Sequence, residues 1–303
     1  MNVLITGSGG FIGQCLSQAL ESQYSIIRHG RKANISAANE NYFQLNVSGS
    51  ANWQEYLKNV DVIVHLAASA HNKSIGDDTI NEVNVNGALT LAKQAVTAGV
   101  KRFIFMSSIG VLGNKTTTPF NEENTESPHS EYAQSKLKAE KALLEIAKGT
   151  ELEVVIIRPV LVYGDAAPGN FSKLKSLILQ FSFLPFGLIR NKRSFISVGN
   201  LVSFIRLCIE HPKAKNEIFC ISDDADVSIK EFTDAIAAGL TKNIVQFPVP
   251  GWLMRFVGRL FGKEEMVEQL VGDLQVDISI VTHLLGWSPV ETMQQAMDKI
   301  GQK

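Results

Sequence analysis

Short apolar runs alternate with amphipathic stretches through the first half of the chain. The runs are Val3–Thr6, Ser25–Arg28, Tyr42–Leu45, Val60–Leu66, Phe103–Ser107 and Val154–Arg158. Several are apolar almost throughout instead of alternating; DVIVHLAA (61–68) is one, and a strand covered on both faces needs that pattern. Between them, near Ile12–Glu21, Thr79–Ala98 and Glu131–Ala147, apolar residues recur three and four positions apart, the period of one buried helix face. Strand and helix in alternation predict βαβ units and an α/β fold built on a doubly wound parallel sheet.

The rhythm changes after RPVLVYG (158–164). Residues 170–189 are apolar but interrupted by Pro185 and Gly187, and Arg193–Val198 reads as a short strand. Ser228 and Glu231 make an S-x-x-E capping box ahead of a helix over Ile229–Leu240. Asp277 is placed to cap a short helix ending at Gly286. We therefore expect a nucleotide-binding domain over residues 1–165 and a smaller lobe over 166–303, interleaved with late strands such as Ile218–Ile221. Pro250–Gly262 is an amphipathic helix carrying Trp252, Leu253, Phe256, Val257, Leu260 and Phe261 beside Arg255 and Arg259. Packing in the core of the lobe is its expected role; lying on a membrane or a partner is the alternative.

Composition narrows the function classes. With 29 basic and 30 acidic residues in 303 there is no basic stripe, and no nucleic-acid partner is expected. No segment is apolar for the roughly 18 residues that span a bilayer, so no integral membrane segment is expected. Nor does the start MNVLITG carry the basic region of a signal peptide. Cys15, Cys208 and Cys220 have no paired spacing, which suits free thiols in the reducing cytoplasm. The six histidines form no ligand spacing, and no metal is expected.

The first strand runs into TGSGGFIG (6–13), where Gly7, Gly10 and Gly13 form G-x-x-G-x-x-G before a helix. Glycines allow a tight turn and close approach of the backbone to a pyrophosphate, which the free N–H groups of the helix start then bind. In this position the motif points to a Rossmann-type dinucleotide site, NADP(H) or NAD(H). An NAD site commonly has Asp or Glu near the end of the second strand. This chain has Arg28-His29-Gly30-Arg31-Lys32 there, and Arg28 or Arg31 suits a 2′-phosphate, favouring NADP.

Tyr132 and Lys136 form Y-x-x-x-K on a predicted helix, a spacing that puts both side chains on one face. A phenol with a pKa near 10 makes a poor base at neutral pH. A neighbouring ammonium and an oxidised nicotinamide both favour the phenolate. Ser108 follows the fifth strand, where side chains reach the ligand crevice of such a sheet, and can hydrogen-bond the oxygen that Tyr132 serves.

Taken in order, TGSGGFIG, DVIVHLAA, NVNG (84–87), SSIGVLG, YAQSK, RPVLVYG and LLGWSP resemble the landmarks of the extended short-chain dehydrogenase/reductase family over nearly the whole chain. That family includes nucleotide-sugar epimerases, dehydratases and reductases. The resemblance implies that Ser108, Tyr132 and Lys136 are catalytic. It places the cofactor against Gly7, Gly10, Phe11, Ile12, Gly13, Asn46, Val47, Leu66, Ala67, Ala68 and Pro159, as well as Tyr132 and Lys136. It places a UDP-sugar against Asn84, Ser108, Tyr132, Asn170 and Arg193. It also implies a homodimer through helices Thr79–Ala98 and Glu131–Ala147.

Dehydratases of this kind follow the catalytic Ser or Thr with Asp-Glu; here Ile109 and Gly110 follow, and neither moves protons. Two reactions remain, both served by Tyr132 as base in oxidation and acid in reduction. One is reduction of a UDP-4-keto-6-deoxyhexosamine at carbon 4, which the missing carboxylate and a resemblance to a surface-polysaccharide branch favour. The alternative is a UDP-glucose or UDP-N-acetylglucosamine 4-epimerase with tightly bound NAD, and a non-catalytic dinucleotide sensor is a more distant one. The chain departs from the family at Leu112, where a tyrosine is common. It also lacks the downstream Arg-x-x-Asp that some epimerases use; Asp273 is the nearest acid.

Overall fold

The protein is described by a computed structural model covering residues 1–31, 41–69 and 77–301. Of the second-strand basic run, Lys32 lies outside the described residues. The chain opens with β1 (Asn2–Thr6), α1 (Phe11–Leu20), β2 (Ser25–Gly30), β3 (Tyr42–Gln44), β4 (Val62–His65), α2 (Asp77–Asn81), α3 (Ala88–Ala98), β5 (Arg102–Met106), α4 (Glu131–Lys148) and β6 (Glu153–Pro159). All six strands expected in this half are present, each within two residues of its predicted ends.

The continuation is β7 (Leu161–Tyr163), α5 (Asn170–Gln180), β8 (Phe183–Leu184), β9 (Arg193–Ser197), α6 (Val198–Glu210), β10 (Ile218–Ile221) and β11 (Asp226–Val227). Then come α7 (Ile229–Gly239), β12 (Val245–Gln246), α8 (Gly251–Leu260), α9 (Glu264–Val271), α10 (Ser279–Leu285) and α11 (Met293–Met297). Seven strands pair in the order β10-β6-β5-β4-β1-β2-β3, all parallel. The order reverses at β1 and β4, the switch point at which α/β sheets open a crevice at their C-terminal ends.

Each central strand divides its side chains between two cores. Val3, Ile5, Val64, Ile104 and Ile157 meet α1 and α6 on one face. Leu4, Ile63, Phe103, Phe105 and Ile156 meet α3 and α4 on the other. With two apolar faces to cover, near-continuous apolar strands are the only ones that fit. A third core, around Phe171, Phe195, Phe232 and Met297, lies among α5, α7 and α11.

The long helix expected over Thr79–Ala98 is interrupted by a π-helical turn, Glu82–Gly87. Two contacts account for it. The amide of Asn84 is drawn to the Ser69 backbone. Gly87 passes so close to Val47 that a Cβ there would lie 2.5 Å from its Cγ1. Such single-turn bulges mark places where tertiary contacts outweigh the regular ladder.

The capping box at Ser228 and Glu231 forms as expected. Asp277 sits one residue outside the usual cap position and accepts from Ser279 N at 2.8 Å. α6 carried no sequence signal that set it apart; Ser197 caps it by accepting from Asn200 N. Among the described residues no helix is long and apolar enough to cross a membrane.

Asn200, at the start of α6, joins the two halves. Its Nδ2 donates to Asp223 Oδ1 at 2.7 Å and to the Glu291 carbonyl at 2.9 Å. Its Oδ1 accepts from the backbone N–H groups of Val290 and Glu291. Asp223 in turn accepts from Ser197 N and from the Tyr163 hydroxyl. Removing the amide strands several buried groups, each worth about 1–3 kcal/mol. Asn200→Ala is expected to lower unfolding free energy in urea by about 3 kcal/mol. A loss under about 1 kcal/mol would show that the C-terminal segment is held elsewhere.

Candidate functional site

The turn after β1 is shaped by crowding. Gly7 has φ +71°, and a Cβ there would lie 2.9 Å from Ala67 N; at Gly13 one would lie 2.4 Å from the Gly7 carbonyl oxygen. Only glycine fits either place. The Gly10 N–H donates to Gly7 O at 2.9 Å, closing the turn, and Ser8 donates from its backbone and hydroxyl to His29 O. No side chain caps α1, while the position of a Cβ on Gly9 is open. A glycine cradle of this shape, ending on free helix N–H groups, fits a pyrophosphate.

Beside it, Thr6 Oγ1 accepts from Ala67 N and meets His65 Nδ1 at 2.9 Å, fixing the turn that carries Leu66, Ala67 and Ala68. His65 is fully buried between strands, and among the described residues its Nε2 has no partner. Burial, with Lys136 nearby, holds its pKa well below the ordinary histidine range.

Ser108 leaves β5 in extended conformation and caps the short turn Ile109–Val111, its Oγ accepting from Gly110 N at 3.1 Å. Facing that turn is the start of α4, capped by Ser130. Tyr132 is half-buried, and burial pushes its phenol up to about 12. Lys136 is 1% exposed. Burial lowers it to about 7 against an opposing pull from Glu140, and its Nζ donates to the Met106 carbonyl at 2.8 Å. The Nζ lies 4.5 Å from the Phe105 ring centroid and 5.8 Å from that of Tyr132. The lysine therefore stands beside the phenol as the spacing predicts, but in the protein alone it does not lower the phenol's pKa, because burial dominates both groups.

One turn further along α4 lies Glu140, which sequence reasoning passed over. It is 1% exposed and pairs with Arg158 of β6, Nη2 to Oε2 at 2.6 Å, with Nε within 3.2 Å of both carboxylate oxygens. The Ser107 hydroxyl donates to the same carboxylate. The signal was present: residues 132, 136 and 140 fall on one helix face, and Arg158 interrupts an otherwise apolar strand.

Two of the expected residues already have partners within the chain. Asn84 was expected to touch substrate. It is 1% exposed, with its amide spent on Ser69 N and O and on Ser135 Oγ, so it ties the loop after β4 to α4 instead. Arg28, expected with Arg31 as a 2′-phosphate ligand, is ion-paired with Glu21 just after α1.

The remaining expected residues are placed as follows. Arg31 and Asn46 are exposed just beyond β2 and β3, and Val47 is buried against the helical layer. Phe11 and Ile12 open α1, and Pro159 ends β6. Asn170 is exposed at the start of α5, its amide 3.4 Å from Gln269 Oε1. Arg193 opens β9 and donates to the Gly272 carbonyl at 2.9 Å; burial brings its pKa down to about 10. Both residues thus face the C-terminal end of α9.

Residues 3–222 match the family described as NAD dependent epimerase/dehydratase. A UDP-glucose 4-epimerase of Vibrio cholerae is 43% identical over 314 aligned residues, 99% of this chain and 94% of its own. The N-acetyl-alpha-D-glucosaminyl-diphospho-ditrans,octacis-undecaprenol 4-epimerase of Escherichia coli is 26% identical over 98% of this chain and 93% of its own. Among solved structures, UDP-glucose 4-epimerase from Thermotoga maritima with UDP-glucose aligns at TM-score 0.78 and 22% identity, covering 99% of this chain and 97% of that one. UDP-glucuronic acid 4-epimerase from Bacillus cereus with NAD aligns at TM-score 0.78 and 19% identity, covering 99% and 95%.

Arg158→Met leaves the Glu140 charge buried and unpaired, and the expected loss of stability is about 3–5 kcal/mol by denaturant unfolding. Lys136 gives a second test. Between about 7 and its ordinary value of 10.5 the unfolded chain holds the proton that the folded chain has shed. Its contribution therefore makes stability rise with pH across that window, with a slope of at most about 1.4 kcal/mol per unit. Unfolding of Lys136→Met should lack that rise when compared with the parent protein, and parallel pH profiles would place the lysine near its ordinary pKa.

Proposed function

The chain belongs to the NAD-dependent epimerase/dehydratase family, and from that premise we propose that it is a 4-epimerase of a UDP-linked hexose that retains NAD between turnovers. The observation that carries this reading is its likeness to the Vibrio cholerae UDP-glucose 4-epimerase along essentially the full length of both chains. The sequence had favoured a 4-ketoreductase. That preference rested on the missing carboxylate after the second strand, on Arg28 or Arg31 as a 2′-phosphate ligand, and on a resemblance to a surface-polysaccharide branch; of these, Arg28 is engaged by Glu21. Dehydration has no support, since buried Ile109 and Gly110 follow Ser108.

We assign NAD to residues 1–165. Gly7 and Gly10–Gly13 would hold its pyrophosphate, Asn46 and Val47 its adenine, Leu66–Ala68 the middle of the cofactor, and Pro159 the nicotinamide. When bound, NAD supplies the redox step at carbon 4, taking up and returning the same electron pair. The residues of the chain handle the proton and the position of the sugar. Tyr132 Oη takes the proton of the sugar 4-hydroxyl and gives it back after the sugar has turned. A phenol near 12 must be lowered before it can do so, and the positive charge of an oxidised nicotinamide acts in that direction. Lys136 needs only to leave the Met106 carbonyl to hold a ribose hydroxyl beside the phenol. Ser108 donates to the same sugar oxygen. The 166–303 lobe holds the nucleotide-sugar, with Asn170 and Arg193 as its contacts.

Denaturing the purified protein and identifying the released nucleotide tests the reading. The expected result is stoichiometric NAD, together with interconversion of UDP-glucose and UDP-galactose or of their N-acetyl forms. An empty protein that prefers NADPH would restore the ketoreductase. Tyr132→Phe should keep its NAD and lose turnover by about 10²–10⁴-fold. Unchanged turnover would remove Tyr132 from the chemistry.

A further inference from the structure

The amphipathic helix α8 packs on the lobe only along one narrow side, where Met254 meets the third core, and not as the core helix expected. Of its ten residues only Gly258 is buried, against Val267 of α9, where a Cβ would lie 2.7 Å from Val267 Cγ2. Trp252, Phe256 and Leu260 form one stripe at helical spacing, and all three are exposed, Trp252 at 69%. Leu253 and Val257 lie beside them, and Phe261 follows at 74% exposure. A helix apolar on one face must bury that face against something.

The apolar surface extends beyond the helix. A cavity of about 400 Å³ joins Leu253, Val257 and Phe261 to Met266 of α9 and to Pro185 after β8. β8 pairs with β12, and the rings of Phe183 and Phe247 flanking that pair are 5.4 Å apart and both half-exposed or more. Leu179, Phe181 and Leu188 are exposed on the same segment. A patch of this extent is unusual for a surface that faces only water.

Two of the three segments that build this surface, all but α9, carry charges of one sign only. Residues 170–192 hold Lys173, Lys175, Arg190 and Lys192, and residues 241–263 hold Lys242, Arg255, Arg259 and Lys263, with no Asp or Glu in either. The whole chain is balanced at a net charge of −1, so the bias is local. Arg255 pairs with Glu268 and Arg259 with Glu264. These pairs, and that of Lys175 with Asp165, neutralise part of the charge; with Glu265 also on α9, Lys173, Arg190, Lys192, Lys242 and Lys263 still leave an excess of cations.

We infer that this face docks the enzyme on a lipid bilayer bearing anionic headgroups. Exposed tryptophan and phenylalanine rings enter the headgroup boundary, while arginine and lysine at the rim reach lipid phosphates through long apolar stems. A second copy of the chain suits the face less well, because a two-fold contact would set the same cations against one another. The inference does not depend on which sugar is turned over. It places the surface next to the predicted substrate residues, since Asn170 and Arg193 contact the end of α9 and α8 packs on α9.

Sedimentation with vesicles of equimolar phosphatidylglycerol and phosphatidylcholine tests it on the full-length protein. The protein should pellet with these vesicles, less at high salt, and weakly with phosphatidylcholine alone. Trp252 is the one exposed tryptophan of three, Trp53 and Trp287 being buried, so its emission should shift to the blue on binding. The double variant Trp252→Asp and Phe256→Asp should lose vesicle partitioning by more than about tenfold, and Arg259→Gln by about fivefold. Turnover of a soluble nucleotide-sugar should be unchanged in both, which separates lost docking from lost folding. Failure of the parent protein to pellet, or equal pelleting of the double variant, overturns the inference. So does a dimer in solution that the double variant dissociates, which would give the face to a second copy.

Discussion

The ion pair between Glu140 and Arg158 holds α4, which carries Tyr132 and Lys136, to the sheet. Both groups are buried, and both have been taken out of water at a cost that only close geometry and further hydrogen bonds offset. The guanidinium lies along the carboxylate, and Ser107 adds a third donor. Ser107 precedes Ser108, Arg158 precedes Pro159, and Glu140 lies one turn from Lys136. A single buried charge pair thus sets the ends of β5 and β6 and the face of α4 in one relation, and Ser108, Tyr132 and Lys136 ride on or beside those three elements. An apolar contact of equal area would allow the helix to slide; a bidentate pair has one register.

The same burial determines how the site is poised. Lys136 is brought to about 7 and Tyr132 to about 12, each driven toward its neutral form. A lysine near neutrality and a phenol far above it are matched to a partner that brings positive charge with it. The buried Glu140 opposes the loss of the lysine's charge and keeps the group responsive.

The C-terminal lobe follows a different rule. Its core around Phe171, Phe195 and Phe232 is well covered, and Asn200 and Asp223 fasten the segment that reaches back across α6. Beyond that core the lobe presents α8, β8 and β12 with their apolar side chains outward and cations at the rim. The lobe therefore has one interior that stabilises it and one exterior whose chemistry is that of an interface.

The sequence by itself determined the sheet, because a strand buried on both faces must be apolar at nearly every position, and the central runs showed that plainly. It determined the glycine turn and the Tyr132–Lys136 pair, because backbone crowding and helical spacing are local properties. The capping box at Ser228 was legible for the same reason. Only the tertiary structure decided what each polar side chain meets. Asn84 and Arg28 had the right chemistry for ligands, yet their partners are Ser69, Ser135 and Glu21, brought near by folding. Glu140 and Arg158 are eighteen positions apart, and each alone reads as a charge out of place; their meaning is the contact between helix and strand. The periodicity of α8 showed a face to be covered. Whether the protein covers it was settled by where α9 and β12 left room, and that depends on how distant segments pack.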